Sequence, residues 1–280
     1  MTIGESHGGA LVSGTKTRLG FGWVLRPLYR LYERRLTQQI ATGPVPRHIG
    51  IILDGNRREA RRWGITDPVE IYRVGADRLD AVLGWCSALK IPAVTLWVCS
   101  TDNLGRAVDE VEGILRAIET KMQKLAEDPQ IHDRRVRVSA IGCLNALPPS
   151  TIEAIRKAEA ATARYGGLRL TIAVAYGGRQ EITDAVRSML HECAEQGATL
   201  AEAAERITPD SIGRHLYLTG LPDPDLIIRT SGEIRLSGFL LWQSAYSEFY
   251  FCDLNWPAFR KVDLLRAVRA FQDRRRRYGL

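Results

Sequence analysis

The sequence predicts an α/β fold, a single domain in which helices flank both faces of a mostly parallel central sheet of about six strands. Short, near-continuous apolar runs such as residues 49–53 are typical of strands that are buried on both sides of a parallel sheet. Helical patterns separate these runs along the chain, as they do in repeated β–α–β units. A chain of 280 residues, 45% of them hydrophobic, has enough apolar surface to build one such core.

Residues 1–45 are predicted to form a separate N-terminal segment. Residues 1–20 are rich in glycine, serine and threonine and are predicted to be flexible. Residues 21–40 have the pattern of a basic amphipathic helix, which can lie on a membrane surface or dock on its own domain or on a partner subunit. Pro44 and Pro46 end this pattern, so the main domain is predicted to span residues 46–280.

Strands and helices alternate through the main domain. The apolar runs predict strands at residues 49–53, 93–99, 136–141, 168–175, 225–229 and 248–251. The intervening patterns predict helices at residues 57–63, 71–89, 108–125, 150–164, 178–193 and 264–278, and weak helical structure up to about Thr219. Ser150 is the predicted N-cap of the fourth helix, because a serine hydroxyl accepts hydrogen bonds from the first free backbone N–H groups.

The chain is basic, with a net charge of +7 and a pI of about 9.3. Its 39 basic residues comprise 33 arginines and only six lysines. Such an excess of arginine suits bidentate recognition of phosphate, although a GC-rich genome would produce the same bias. An arginine-rich nucleic-acid-binding protein is therefore an alternative function. Against it, the arginines are interleaved with acidic residues, and no aromatic–basic RNA motif is present.

The cysteines and the hydropathy indicate the cellular compartment. No apolar run reaches the ~18 residues of a membrane-spanning helix, and the N-terminal residues lack the apolar stretch of a signal peptide. The dispersed cysteines, without a Cys-x-x-Cys pair, are typical of reduced, buried thiols in a cytoplasmic protein. These cysteines are Cys86, Cys99, Cys143, Cys193 and Cys252. The sequence thus predicts a cytoplasmic protein, with any membrane contact limited to the periphery.

Polar side chains follow three of the predicted strands at the point where each strand ends. Because the carboxyl ends of parallel strands meet at one edge of the sheet, these side chains are expected to converge there. A carboxylate among arginines suggests a metal ion held against a phosphate, and the positive charge is enough for two diphosphates. The residues concerned are Asp54, Asn56, Arg57 and Arg58 after the first strand, Ser100, Asn103 and Arg106 after the second, and Arg229, Arg235 and Ser237 after the fifth.

A structural role remains an alternative for these residues, with Asp54 capping a helix and the arginines solvated. His48, which opens the first strand, could lie near the site or serve only as a structural hydrogen-bonding group. Several enzyme classes are excluded. The chain lacks the Gly-x-x-x-x-Gly-Lys-Ser/Thr loop, the Gly-x-Gly-x-x-Gly fingerprint and the Gly-x-Ser-x-Gly elbow. No histidine lies in the polar turns, which argues against Ser-His-Asp chemistry.

Five motifs in the chain resemble those of the cis-prenyltransferases, the undecaprenyl diphosphate synthase family. The first is His-Ile-Gly-Ile-Ile-Leu-Asp-Gly-Asn-Arg-Arg at residues 48–58, and the longest spans residues 225–248. The others are Ser-Thr-Asp-Asn at 100–103, Tyr-Gly-Gly-Arg at 176–179 and Arg-Tyr-Gly at 277–279. The resemblance covers residues 46–280, with all motifs in order. Residues 27–33 are similar to actinobacterial short-chain members that make Z,E-farnesyl diphosphate.

The resemblance implies an enzyme that condenses isopentenyl diphosphate with an allylic diphosphate and forms a cis double bond. It implies a Mg²⁺ cofactor, held by Asp54 at the allylic diphosphate, with Glu248 making the metal contact of the isopentenyl diphosphate site. It implies a homodimer in which Arg277 and Gly279 complete that second site across the interface. Asn103 would help to remove the proton after condensation. The substrate-binding residues that it implies are Gly55, Asn56, Arg57, Arg58, Ser100, Thr101, Asp102, Arg106, Arg229, Arg235 and Ser237.

By the same resemblance, the product is expected to be short, about C15. Val98, two residues before Ser100, takes a position at which long-chain relatives have a smaller residue. The helices that begin near Ile71 and Val108 would line the product channel. Three residues near the allylic substrate depart from the family pattern, namely Glu59, Tyr72 and Leu104. They leave open the choice of allylic diphosphate, a long-chain product and an irregular coupling such as that of lavandulyl-type members.

Overall fold

The computed structural model describes residues 21–275, and its centre is a six-stranded sheet. The strands follow the order β3-β4-β2-β1-β5-β6, and every neighbouring pair is parallel. The predicted α/β class and the six strands are thus confirmed. The strands are β1 (His48–Ile52), β2 (Ala93–Trp97), β3 (Arg137–Ile141), β4 (Arg169–Ala173), β5 (Leu226–Arg229) and β6 (Glu248–Phe251).

Ten α-helices of the described chain surround this sheet. They are α1 (Phe21–Ile40), α2 (Asn56–Arg62), α3 (Pro68–Ala88), α4 (Val108–Glu127), α5 (Pro129–Asp133), α6 (Pro149–Thr162), α7 (Gly178–Glu195), α8 (Leu200–Glu205), α9 (Pro209–His215) and α10 (Lys261–Arg275). Helix α4 packs between α3 and α6, and α7 packs against α9. The weakly helical region predicted before residue 219 contains α8 and α9, whereas α5 was not predicted.

The strands send alternate side chains to two hydrophobic clusters, as the two-residue period of a strand requires. Ile49 and Ile51 of β1 belong to the larger cluster, which also contains residues of α3, α4, α6 and α10. Ile52 and, from β5, Ile227 belong to the smaller cluster, together with Phe239. Both faces of the sheet are therefore covered, which explains why its strands appear as continuous apolar runs in the sequence.

Two helix starts differ from the sequence prediction because prolines determine them. Helix α6 begins at Pro149, so Ser150 is not its N-cap but lies inside the first turn. The Ser150 hydroxyl instead donates a hydrogen bond of 2.8 Å to Glu119 on α4. Helix α3 begins at Pro68, where the fixed φ of proline favours the first helical position, and the Asp67 carboxylate accepts from the Glu70 N–H at 2.9 Å.

Helix α1 docks on α10, which is one of the two arrangements that the sequence allowed. Leu36 and Ile40 of α1 are fully buried. Glu33 forms an ion pair of 2.7 Å with Lys261 of α10. The opposite side of α1 leaves Leu28 and Leu31 exposed. The flexibility predicted for residues 1–20 concerns residues outside the described range, so the assignment of residues 1–45 to a separate segment stays a prediction.

The cysteines are free thiols, as expected. Four of them are buried, and Cys143 is the exception, because it is partly exposed. Among residues 21–275, no helix combines the length and the apolar composition that crossing a membrane requires.

Candidate active site

The end of β1 is a tight turn whose shape requires glycine. Gly55 has a φ of 97°, in the left-handed region, and immediately precedes α2. A Cβ atom at Gly55 would lie 2.3 Å from Oδ1 of Asn255, so a side chain would also collide. Asn255 in turn donates a hydrogen bond of 2.7 Å to the buried carboxylate of Glu59 on α2. The residue that departs from the family pattern at position 59 therefore helps to fix the turn that presents Asp54.

Asp54 and Arg229 meet where β1 and β5 end side by side. Nη2 of Arg229 donates to Oδ2 of Asp54 at 2.8 Å, and its Nη1 donates to Oγ of Ser237 at 2.8 Å and to the carbonyl of Arg235. The Arg229 guanidinium is nearly buried, and its Nε–H has no partner among the described residues. Burial raises the pKa of Asp54, but the surrounding hydrogen-bond donors, Arg229 foremost, and the charge of Arg229 outweigh it and leave that pKa below its usual range.

The end of β2 is organised by a reciprocal pair of hydrogen bonds. The Asn103 N–H donates to Oγ of Ser100 at 3.1 Å, and the Ser100 N–H donates to Oδ1 of Asn103 at 3.0 Å. This capping box identifies the oxygen of the Asn103 side-chain amide, because the atom that accepts from the Ser100 backbone N–H must be the carbonyl oxygen and not the NH₂ nitrogen. The NH₂ end of Asn103 is therefore the end that remains for a ligand, and it can only donate.

Four arginines of the site are held by two glutamates that the sequence did not indicate. Glu110 accepts from Arg57 at 2.9 Å and also from Arg106. Glu233 accepts from Arg58 at 2.7 Å and from Arg235 at 2.6 Å. These arginines are about half exposed, so their positions are set by the paired carboxylates more than by packing.

Tyr72 adds a neutral donor to this network. Its hydroxyl donates to Oε1 of Glu110 at 2.7 Å, and Arg106 lies 3.4 Å from the same hydroxyl. Burial raises the pKa of Glu110, but the hydrogen bonds from Tyr72 and Arg106 more than offset it, so the pKa of Glu110 is below its usual range. Burial, together with the neighbouring Glu110, raises the pKa of Tyr72, so this phenol remains protonated.

The three strand ends line one polar pocket of about 490 Å³. Within the described chain, six arginines and a single carboxylate, that of Asp54, line it. The predicted residues that it brings together are Asp54, Gly55, Asn56, Arg57, Arg58, Ser100, Asn103, Arg106, Arg229, Arg235 and Ser237. Arg61 and Trp97 also line the pocket and were not predicted. The spacing could have indicated Arg61, because it follows Arg57 by one helical turn of α2.

A second cavity, almost entirely apolar, adjoins the polar pocket. It is narrow, at about 60 Å³, and lies between α3, α4 and the sheet. Five residues line both spaces: Leu53, Asn56, Tyr72, Val98 and Ile114. Val98 lies one residue beyond the end of β2 rather than within the strand, but it still lies at the junction. A charged region therefore lies directly beside an apolar one, and five residues belong to the walls of both.

Three predicted residues do not line the polar pocket. Thr101 and Asp102 follow Ser100 but turn away from it, and Asp102 is exposed. Glu248 is at the far end of β6, because it pairs in register with Leu226 whereas Arg229 pairs with Phe251. Glu248 instead forms an ion pair of 2.6 Å with Arg274. Two further predicted residues, Arg277 and Gly279, lie outside the described residues.

His48 takes the structural role that the sequence left open. It lies at the opposite end of β1 from the pocket and is fully buried. Its Nδ1 is 2.7 Å from the carbonyl of Pro222 and its Nε2 is 2.8 Å from Oγ1 of Thr95, so both ring nitrogens are engaged. Burial lowers the pKa of His48 to about 4.

The Tyr-Gly-Gly-Arg motif also has a structural role. Tyr176 is buried, and its hydroxyl donates to the buried carboxylate of Glu181 at 2.5 Å. The same carboxylate accepts from the Tyr217 N–H and from the Gln243 side chain, both at 3.0 Å. Burial raises the pKa of Glu181. The motif thus anchors the start of α7 beside the strand ends and does not contribute to the lining of the pocket.

The donor set at Asp54 fits a hard divalent cation. Arg229 engages one carboxylate oxygen of Asp54, and nearly a third of this side chain remains exposed to the pocket. No group of three histidine, cysteine or acidic side chains forms a metal cage anywhere in residues 21–275. Mg²⁺ is the cation that suits such a site, because it is commonly held by one or two carboxylates together with phosphate oxygens and water.

Comparisons with known proteins agree with this geometry. The sequence matches the family model of the undecaprenyl diphosphate synthases over residues 52–279. It is 56% identical over 249 residues to an isoprenyl transferase of Deinococcus radiodurans, covering 89% of this chain and 90% of that protein. It is 53% identical over 253 residues to the (2Z,6E)-farnesyl diphosphate synthase of Thermobifida fusca, covering 90% of this chain and 97% of that protein.

A solved structure shares the fold. Lavandulyl diphosphate synthase from Lavandula x intermedia, in complex with dimethylallyl diphosphate, is 33% identical in sequence and superposes with a TM-score of 0.73. The superposition covers 81% of this chain and 95% of the lavender chain. The part of this chain that superposes therefore has the fold of the lavender enzyme.

Proposed function

The chain belongs to the undecaprenyl diphosphate synthase family and is an isoprenyl transferase, and from this premise we propose that it joins isopentenyl diphosphate to an allylic diphosphate and releases a short cis-prenyl diphosphate of about C15. One observation carries the proposal. The polar pocket, with its six arginines, adjoins the apolar cavity between α3 and α4 and shares part of its wall. A prenyl diphosphate has the same division into a charged head and an apolar tail, so the character of the two adjoining spaces matches its two parts.

The allylic diphosphate is placed at the end of β1. Arg57 and Arg58 would bind its oxygens in exchange for part of their contacts with Glu110 and Glu233. Gly55, with its φ of 97°, permits the tight turn that brings Asp54 and the start of α2 to the pocket. Asp54 would hold Mg²⁺ against the diphosphate, and the bound ion would neutralise charge that develops on the leaving group as the allylic C–O bond ionises.

Isopentenyl diphosphate is placed beside it, at Arg229, Arg235 and Ser237. Arg229 is rigidly positioned, since three oxygen acceptors hold its two terminal nitrogens. It contacts Asp54 as well as Ser237, so the two diphosphate sites share a wall. The carbon of isopentenyl diphosphate that forms the new bond would then lie near the allylic carbon that ionises, which is the positioning that condensation requires.

Asn103 orients the substrate in this mechanism and does not take the proton. Its carbonyl oxygen is already bonded to the Ser100 N–H, and its NH₂ group can donate to a diphosphate oxygen. An amide is in any case a very weak base. We therefore assign the proton that leaves after condensation to an oxygen of the departing diphosphate, held within reach by Asn103 and Arg106.

A homodimer is part of the proposal. Glu248 lies away from Asp54 within one chain, so it would reach an isopentenyl diphosphate site only across a subunit boundary. Strand β6 is an edge strand of the described sheet, and Phe249 and Phe251 stack on it with ring centroids 6.3 Å apart. An edge strand that carries an exposed aromatic residue, here Phe251, is suited to association. Arg277 and Gly279 would complete the partner's site.

The short product is supported by Val98 at the junction of the two spaces and by the similarity to a farnesyl diphosphate synthase. In a cavity as narrow as this one, each wall side chain limits the tail that can enter. The apolar faces of α3 and α4 that were expected to line a channel do line the cavity. Long-chain synthesis would require that these helices leave more room.

Irregular coupling is the second candidate reaction. It is supported by the structural similarity to lavandulyl diphosphate synthase. Two of the unusual residues lie close to the allylic site, since Glu59 supports the Gly55 turn and Tyr72 lines both spaces. Leu104 faces a separate groove along α4 and does not line the polar pocket. Regular and irregular products of equal mass differ in retention time and in fragmentation, so chromatography with mass spectrometry separates the two reactions.

We further propose that the enzyme works in the cytoplasm with peripheral membrane contact through α1. Leu28 and Leu31 are exposed on this helix, and Arg34 and Arg35 flank them. Apolar side chains flanked by arginines suit the surface of an anionic bilayer.

The deciding experiment is incubation of the purified protein with labelled isopentenyl diphosphate, Mg²⁺ and each of three primers, namely dimethylallyl, geranyl and farnesyl diphosphate. We expect an extractable prenyl product whose length is read by chromatography after dephosphorylation. Product formation should disappear when EDTA removes the metal and return when Mg²⁺ is added. Failure to form any prenyl product with all three primers would refute the proposed function.

A further inference from the structure

Lys121 and Asp80 form an ion pair beside the apolar cavity, at the end remote from the polar pocket. Lys121 of α4 is the only charged residue that lines this cavity within the described chain. Its side chain is 7% exposed, and its Nζ lies 2.5 Å from Oδ1 of Asp80 on α3. The aliphatic stem therefore forms part of the cavity wall, while the charged end points out between the two helices towards a carboxylate that is one-third exposed.

The position of Lys121 follows from the direction of the helices. Tyr72 of α3 and Ile114 of α4 line both the polar pocket and the cavity, whereas Leu79 and Lys121, further along each helix, line only the cavity. Both helices therefore run away from the polar pocket. Lys121 follows Ile114 by seven positions, which is about two turns or ~10 Å along the axis. A tail that grows between α3 and α4 therefore passes Ile114 first and reaches the last lining turn of α4, with Lys121 and Met122, at the end.

Asp80 is held from two sides. Lys124, one turn of α4 away, places its Nζ 2.7 Å from the other carboxylate oxygen of Asp80 and is half exposed. Burial raises the pKa of Asp80, but both lysines oppose this and leave the pKa below its usual range, so the carboxylate is charged at neutral pH. Two of the six lysines in an arginine-rich chain thus meet at one carboxylate. The stem of a lysine is thin and apolar, so it fits in the cavity wall, whereas the guanidinium of an arginine, with its five donors, would not.

We propose that Lys121, anchored by Asp80, sets the upper limit of product length by closing the apolar cavity. The proposal rests on the proposed function, because it assigns the cavity to the growing prenyl tail. A tail that extended past Lys121 would have to displace the stem and separate the buried Lys121 from the partly buried Asp80, which leaves a buried charge without its partner. The tail stops instead, because packed interiors yield little.

The test compares product lengths for three proteins: the wild type, Lys121→Ala and the matched control Lys124→Ala. Lys124 contacts the same carboxylate but does not line the cavity. Lys121→Ala opens the far end and leaves Asp80 paired with Lys124, so we expect products longer by at least one isoprene unit once Val98 no longer limits the tail at the junction. Lys124→Ala should keep the wild-type distribution. The comparison is repeated in a Val98→Ala background, in which the tail has more room at the junction.

The proposal would be overturned if Lys121→Ala left the product length unchanged both in the wild-type and in the Val98→Ala background. The proposed function would remain intact. A wild type that forms no prenyl product refutes the proposed function first.

A second measurement needs no variant. Inhibition of the wild type by non-reactive prenyl diphosphate analogues should strengthen with tail length and then weaken once the tail reaches Lys121. Affinity that continues to rise through long tails would contradict the closure.

Discussion

Arg229 donates a hydrogen bond of 2.8 Å from Nη2 to Oδ2 of Asp54, although 175 positions separate the two residues in the chain. The contact joins the residue assigned to the metal and the allylic diphosphate with the residue assigned to isopentenyl diphosphate. A substitution at either residue should therefore affect both substrates, because it removes the partner that orients the other.

Asp54→Ala should abolish nearly all turnover, since it removes the carboxylate that would hold Mg²⁺ and leaves the buried Arg229 without its anion. A single electrostatic contact of this kind is typically worth ~10²–10³ in rate. The measurement is kcat for the first condensation. Asp77→Ala is the control, because this aspartate pairs with the exposed Arg73 on the outer side of α3. An Asp54→Ala protein that retained more than about a tenth of wild-type activity would rule out the metal-holding role.

Removal of residues 277–280 should raise the KM for isopentenyl diphosphate if the dimer partner completes that site. A mixing experiment is sharper. Chains that carry Asp54→Ala and chains that lack residues 277–280 are each expected to be poorly active. In a mixed dimer, the intact Asp54 site of the truncated chain receives the intact C-terminus of the other chain, so mixing should restore activity. If exchange of subunits is verified and activity does not return, the shared site is wrong.

Val98→Ala should shift the products to greater length with little loss of the first condensation, because Val98 lines both the polar pocket and the narrow cavity. The substitution also removes packed apolar volume, which costs ~1–3 kcal/mol of stability at a core position. Product length and melting temperature are measured on the same protein. If only the melting temperature changes, Val98 is core and the product channel runs elsewhere.

Stability should fall on acidification in part because of His48. The folded-state pKa of about 4 is below the ordinary value of 6.5, so between these pH values the unfolded chain binds a proton that the folded chain does not. The stabilisation that His48 gives the folded state by being neutral is complete above pH 6.5, declines as the pH falls, and is lost by about pH 4. It amounts to about 3 kcal/mol. Urea titrations across this range should give a shallower pH dependence for His48→Gln than for the wild type, and equal slopes would contradict the assignment.

The sequence allowed the strand-end residues to be predicted because their positions depend on local structure and on one topological rule. Asp54, Ser100 and Arg229 each follow an apolar run, and parallel strands bring such ends together. The fold class could be predicted for the same reason. Thr101 and Asp102 share a motif with Ser100, but the short turn that they form directs them away from the pocket, which spacing alone does not indicate.

What escaped prediction depends on contacts between distant parts of the chain. Glu110 and Glu233 resemble any exposed acidic residue in the sequence, and only the folded chain shows that each holds two arginines. Lys121 lies within an amphipathic helix and looks like a solvated residue until the partner Asp80, 41 positions away, is seen. Glu59 is similar, since its partner Asn255 follows 196 positions later.

The pairing of β1 with β5 has a consequence for synthesis of the chain on the ribosome. Strand β1 emerges early, but the strand on one of its sides is made about 170 residues later, on the order of ten to thirty seconds at usual elongation rates. During that interval β2 can pair with one edge of β1. The other edge of β1 stays unpaired, and the apolar side chains there stay uncovered, until β5 is made. A nascent chain of this protein therefore presents an apolar strand edge that a chaperone can bind, and truncated chains that end before Arg229 gain no catalytic centre.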